Sequence, residues 1–97
     1  MEKTINIRRQ RFKNIWIEKI KGKEIVTPFN GLKIFAVKHI EDDVINLIEY
    51  KTGTALAFGD NFEEAINLLI IRVNYFGMDK IKKQINKRIK QIGQANF

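Results

Sequence analysis

The chain has 97 residues, no cysteine and a formal charge of +7, and 44% of its residues are hydrophobic. That size and composition fit one globular domain, residues 1–97, with a modest core; the missing thiols exclude disulfides, thiolate catalysis and cysteine-held zinc or iron–sulfur centres. Apolar runs such as Leu68–Ile71 are too short to cross a bilayer, and the basic start of the chain lacks the apolar stretch of a secretory signal, so a soluble, cytoplasmic protein is expected.

In residues 8–20, Phe12, Ile15, Trp16 and Ile20 fall on one helical face, and Gly22 follows where a helix would stop. This spacing predicts a helix, with a strand as the alternative because Ile15 and Ile17 alternate. Asn30-Gly31 is a tight-hairpin signal, and Pro28 assigns the arm before it to a sheet edge or to irregular chain. Leu32 to Ile40 and Val44 to Lys51 read as strands joined by the polar turn Glu41-Asp42-Asp43. In the second, Ile45 and Leu47 share one face and Val44, Ile48 and Tyr50 the other.

Thr52-Gly53 makes another turn. In the strand that follows, alternation places Leu56 and Phe58 toward the core and Ala55 and Ala57 away from it. Residues 32–58 thus form an antiparallel sheet. Asn61 and Glu64 have the spacing of a capping box at the start of a helix over 62–76. Phe62, Ala65, Ile66, Leu69, Ile70 and Val73 are its core stripe; Leu68, Ile71 and Tyr75 form a second stripe. The last element, 79–92, is a basic amphipathic helix with Asp79 as N-cap. Its thin apolar line, Ile81, Ile85, Ile89 and Ile92, is expected to dock on the protein's own core, with the second stripe as a candidate seat, or to pair with another copy in a homodimer. The other reading of the second stripe is plain core. The fold class is α+β: a three- or four-stranded antiparallel sheet with helices on one face, in the order α-β-β-β-α-α, or with an N-terminal strand in place of the first helix.

Charge is segregated. Residues 1–23 carry eight Lys/Arg against two Glu, residues 24–78 four against eight Asp/Glu, and residues 79–97 six against one. Two basic ends around an acidic middle point to a polyanion or an acidic protein surface as partner; the plain alternative is a solvated surface. The candidate contact residues are Arg8, Arg9, Arg11 and Lys13, interleaved with Phe12 and Trp16, and Lys80, Lys83, Lys87, Arg88 and Lys90 of the last helix. A membrane partner ranks low, because the apolar side of that helix has no aromatic anchor. His39, beside the acidic turn, reads as an exposed residue rather than a metal or acid–base site, and Asp60, Glu63 and Glu64 are explained by capping. With no nucleophile–base pair, phosphate loop or metal spacing, the chain reads as a non-enzyme without cofactor.

The run Phe35 to Ile81, with Thr52-Gly53, Gly59 and Glu64-Ala65-Ile66, resembles small phage and prophage accessory proteins in which a hairpin, a Thr-Gly turn, a strand and a helix opening on Glu-Ala-Ile recur. A tryptophan of that pattern is replaced here by Ile45 or its neighbours. The resemblance implies a mobile-element accessory protein. Such proteins bind DNA or RNA, or occlude a site on a host nucleic-acid-handling or defence complex, as anti-CRISPR proteins do.

Overall fold

The first quarter of the chain alternates apolar and polar residues, and it folds as a hairpin: β1 (Glu2–Arg11) pairs antiparallel with β2 (Asn14–Ile25). In this computed structural model, which describes residues 2–38 and 43–97, the chain continues through β3 (Ile34–Lys38), β4 (Ile45–Glu49), β5 (Thr54–Gly59), α1 (Phe62–Phe76) and α2 (Met78–Ile92). All five strands form one antiparallel sheet in the order β1-β2-β3-β4-β5. The class is α+β, as expected, but the sheet has five strands rather than three or four, and strands rather than a helix open the chain.

The helix expected over residues 8–20 is therefore corrected to a strand pair. Ile5 and Ile7 make a period-two face, Ile20 lies opposite Ile5 in register, and this face is what packs on the sheet. The helical spacing of Phe12, Ile15 and Trp16 is incidental, since Phe12 occupies the tip turn with φ 55° and all three are exposed. Gly22 is a buried strand residue, not a helix cap. Asn30-Gly31 is also reassigned: it belongs to a longer loop over residues 26–33 that contains Pro28, not to a two-residue hairpin turn. His39, Ile40, Glu41 and Asp42, and with them the end of the expected Leu32–Ile40 strand and most of the acidic turn, lie outside the described residues.

The sheet has an apolar cluster on each face. On one, Ile34, Leu47 and Ala57 meet Ala65, Leu69 and Val73 of α1. On the other, Phe35, Val37, Ile48 and Tyr50 are covered not by a helix but by Ile5 and Ile7, because the β1–β2 ribbon curls back over the sheet. The division of β4 into two faces, Leu47 on one and Ile48 with Tyr50 on the other, is as read from the sequence.

β5 departs from simple alternation. Its pairing with β4 slips between Leu47 and Ile48, so Ala55 opposes Ile48, Ala57 opposes Leu47 and Leu56 is the extra residue. The bulge turns Ala57 inward beneath α1 and leaves Phe58 half-exposed, which reverses the expected placement of both. At the start of α1 the Asn61 side chain accepts from the Glu64 N–H at 2.9 Å, while the Glu64 carboxylate accepts from the Asp60 N–H at 3.0 Å, one residue earlier than a standard capping box. In the core stripe Phe62 stays half-exposed. In the second stripe only Leu68 packs; Ile71 and Tyr75 face outward, so the stripe is neither core nor the seat of α2. Gly77 alone joins the helices, at φ 82° and ψ 147°, a conformation open to glycine. It also occupies the N-cap position assigned to Asp79, which instead lies in the first turn of α2.

The sheet is closed by its ends. The Arg8 N–H donates to the Gly53 carbonyl at 2.7 Å. Asn96 accepts from the Asn6 N–H at 2.9 Å and donates to the Asn6 and Tyr50 carbonyls at 2.7 and 2.8 Å. The Asn6 amide donates to the Ala95 carbonyl, and the Ala95 N–H to Lys51. Beneath this closure the buried Glu49 carboxylate accepts from the N–H groups of Lys51 and Thr52 and from the Thr52 hydroxyl. Asn96→Ala removes three of these bonds and strands their buried partners, so it is expected to cost about 3 kcal/mol, or roughly 15 °C in a domain of this size. Thermal unfolding followed by circular dichroism measures it; a change of only a degree or two contradicts this account of the closure.

Candidate binding surface

A two-stranded ribbon has two faces, and a small domain can cover only part of them. β2 pairs with β3 only from Lys23 to Ile25, so among the described residues Asn14–Gly22 has β1 as its sole strand partner. The base of the ribbon is held by Ile5, Ile7 and Ile20; beyond Ile7, Arg8 to Gln10 still lie over β4 and β5, and the tip about Phe12 is exposed. Register places Trp16 opposite Arg9 on the inner face, and Ile15 and Ile17 opposite Gln10 and Arg8 on the outer one. The exposures are 87% for Phe12, 43% for Trp16 and 45% for each isoleucine. Phe12 and Trp16, expected on one face of a helix, are thus on a strand ribbon, and among the described residues no element buries them.

The four basic residues of this segment divide by role. Arg8 is half-buried, donating from Nε to the Thr52 carbonyl at 3.2 Å and from Nη2 to the Gly93 carbonyl at 3.3 Å, where its charge also suits the C-terminal end of α2. Arg9 lies 3.8 Å from the Glu18 carboxylate on the inner face, and Arg9 and Gln10 overhang a recess of about 300 Å³ floored by Asn46, Ile48 and Ala55. Arg11 and Lys13 are exposed at the tip on either side of Phe12. The tip thus presents cations beside an aromatic ring, with Ile15 and Ile17 one step back on the outer face and Trp16 on the inner one.

On α2, Lys80, Lys83, Lys87 and Lys90 are exposed, with the Lys80 ammonium 5.5 Å from the Phe76 ring centroid. Arg88 is set apart: it is half-buried and its Nε is enclosed. The two basic segments, at opposite ends of the sequence, meet where Arg8 binds the residue that caps α2. Sequence reasoning passed over Ile15 and Ile17 as contact residues; reading 14–20 as a strand would have shown apolar groups on both faces of it, more than one core can take.

Among the described residues no group of three His, Cys, Asp or Glu side chains is arranged to hold a metal ion, and no helix is long and apolar enough to cross a membrane. What the ribbon exposes is a set of apolar groups beside cations. Comparison with protein-family models, with curated proteins and with solved structures finds no match.

The burial pattern separates folding residues from contact residues. Trp16→Ala should cost less than about 1 kcal/mol of stability, whereas Ile5→Ala should cost about 3 kcal/mol. As the single tryptophan, Trp16 should be readily quenched by iodide in the folded protein. Denaturant titration and fluorescence quenching check both points; a shielded Trp16 would mean that the ribbon tip is packed.

Proposed function

We propose that this is a non-enzymatic binding protein of phage or mobile-element type that inhibits a host nucleic-acid-handling or defence complex by occluding one of its sites, in the manner of anti-CRISPR proteins. The observation that carries this reading is the projecting ribbon tip, with Phe12, Trp16, Ile15 and Ile17 exposed beside Arg9, Arg11 and Lys13. Aromatic and arginine side chains dominate the energetics of protein interfaces. Ile15 and Ile17 on one ribbon face and Trp16 on the other suit a protein surface better than a phosphate backbone, and cations suit an acidic or phosphate-rich one. A ribonucleoprotein effector presents both surfaces side by side. The partner class comes from this match and from the resemblance of residues 35–81 to phage accessory proteins; it is an analogy in chemistry, not a shared ancestry.

A second reading is direct binding to DNA or RNA. It is favoured by the pairing of Arg9, Arg11 and Lys13 with Phe12 and Trp16, since bases stack on exposed rings while cations hold the backbone, and by the lysines of α2.

The two readings separate in one set of titrations. With reconstituted RNA-guided nuclease complexes, the intact protein is expected to bind and to block cleavage, and Phe12→Ala with Trp16→Ala to weaken binding by about a hundredfold, the loss of roughly 2.7 kcal/mol at a hot spot. Bare duplex and single strands should bind weakly at physiological salt. If instead every complex is left active and bare nucleic acid binds with a log–log salt slope of about −3, as three phosphate contacts would give, the second reading replaces the first.

A further inference from the structure

α2 is amphipathic by sequence, yet none of its residues is buried. Met78 and Ile81 reach the core cluster beneath α1, but farther along the helix stands away from β5 across a groove of about 410 Å³. That volume is within the range of about 300–1,000 Å³ typical of small-molecule sites. One end is apolar, walled by Leu56, Phe76, Ile81 and Ile85; the other is polar, with Thr54 and Arg88 across from one another on strand and helix.

The charges that line the groove are of one sign. The lining carries the cations Lys80, Lys87 and Arg88 and no carboxylate. The nearest acid in the hydrogen-bond network, Glu49, lies behind Thr52 with both oxygens engaged by Lys51 and Thr52. The threonine hydroxyls are committed to the same network: Thr52 donates to Glu49 at 2.8 Å, which leaves Thr54 to donate to Thr52 at 2.7 Å. The remaining donors belong to the helix. Arg88 Nε is sealed from solvent and has no hydrogen-bond partner among the described residues. Arg88 as a whole is half-buried, and in a groove whose lining holds no carboxylate its guanidinium is a cation that a bound anion would pair with.

We infer that the groove between β5 and α2 is a binding site for a small organic anion, its carboxylate or phosphate head on Arg88 and its apolar body against Leu56, Phe76 and Ile85. The site faces the helix side of β5, whereas the recess under the ribbon lies on the other side of that strand, so it does not depend on what the ribbon binds. A medium-chain fatty acid and a nucleoside monophosphate both have this chemistry.

Octanoate and adenosine monophosphate, with octanol and adenosine as neutral counterparts, are titrated into the full isotope-labelled chain and followed by amide chemical shifts. The expected result is saturable shifts at Thr54, Leu56, Ile85 and Arg88 with at least one anion, and binding weaker by about tenfold or more for its neutral counterpart; which anion binds identifies the source. Arg88→Met, similar in length but without the orphan donor, should lose the binding and unfold a few degrees higher. No shift with either anion at low-millimolar concentration overturns the site. So do shifts scattered over the exposed lysines, unchanged binding in Arg88→Met, or equal shifts with inorganic phosphate alone. Should Arg88→Met not fold, the wild-type shift map and the comparison with the neutral compounds decide the matter alone.

Discussion

The outer edge of β1 presents backbone donors and acceptors at Asn6 and Arg8 that no neighbouring strand receives, and the way they are met governs the rest of the molecule. The carbonyl of Gly53 takes one, and the Asn96 side chain, which can donate and accept at once, takes two more while also reaching Tyr50. An edge left open would be free to pair with another chain. Closing it demands close approach: at Gly53, with φ 70°, an added Cβ would stand 2.8 Å from the Ala95 Cβ and 3.0 Å from the Arg8 nitrogen. Glycine at the turn and asparagine in the tail are thus two halves of one contact between segments more than forty residues apart.

That contact has two consequences. It holds the β1–β2 ribbon down over the sheet, so Ile5 and Ile7 are buried and Arg8 is half-buried against the β4–β5 turn, while the tip about Phe12 stays exposed. It also draws the chain after α2 to the β4–β5 turn. The far end of α2 is therefore placed by backbone hydrogen bonds and by the Arg8–Gly93 contact rather than by burial of its own isoleucines. A helix fixed at both ends but not pressed onto the sheet leaves space beneath it, and the groove with Arg88 at its margin is that space.

Charge follows the same geometry. The acidic residues at the start of α1 are used locally: Glu64 caps Asp60, and Glu63 and Glu64 lie in the first helical turn. Glu49 is consumed inside the closure. Of the cations, Arg8 is spent on structure and Arg9 is near Glu18, while Arg11, Lys13, the exposed Lys19, Lys21 and Lys23 of β2 and the lysines of α2 contribute to the outer potential of the molecule. Exposed apolar groups beside that potential, rather than the net charge, are what the proposed contact surface at the ribbon tip rests on.

Local signals settled much of this protein in advance. The bounds of α1, its Asn61 cap, the two faces of β4, the turn at Thr52-Gly53 and the basic character of α2 follow from periodicity, capping chemistry and turn chemistry, each acting within a few residues. What the sequence left undecided is non-local. Residues 8–20 satisfied a helical and a strand pattern at once, and only the pairing of Ile5 with Ile20 chose between them. Ala57 points inward because a bulge at Leu56 shifts its register against β4. Phe12, Trp16, Ile15 and Ile17 carry the composition of a core, and whether they form one depends on how much sheet lies beneath the ribbon. Among the described residues none buries them, so the tertiary structure, not the residues themselves, made them surface.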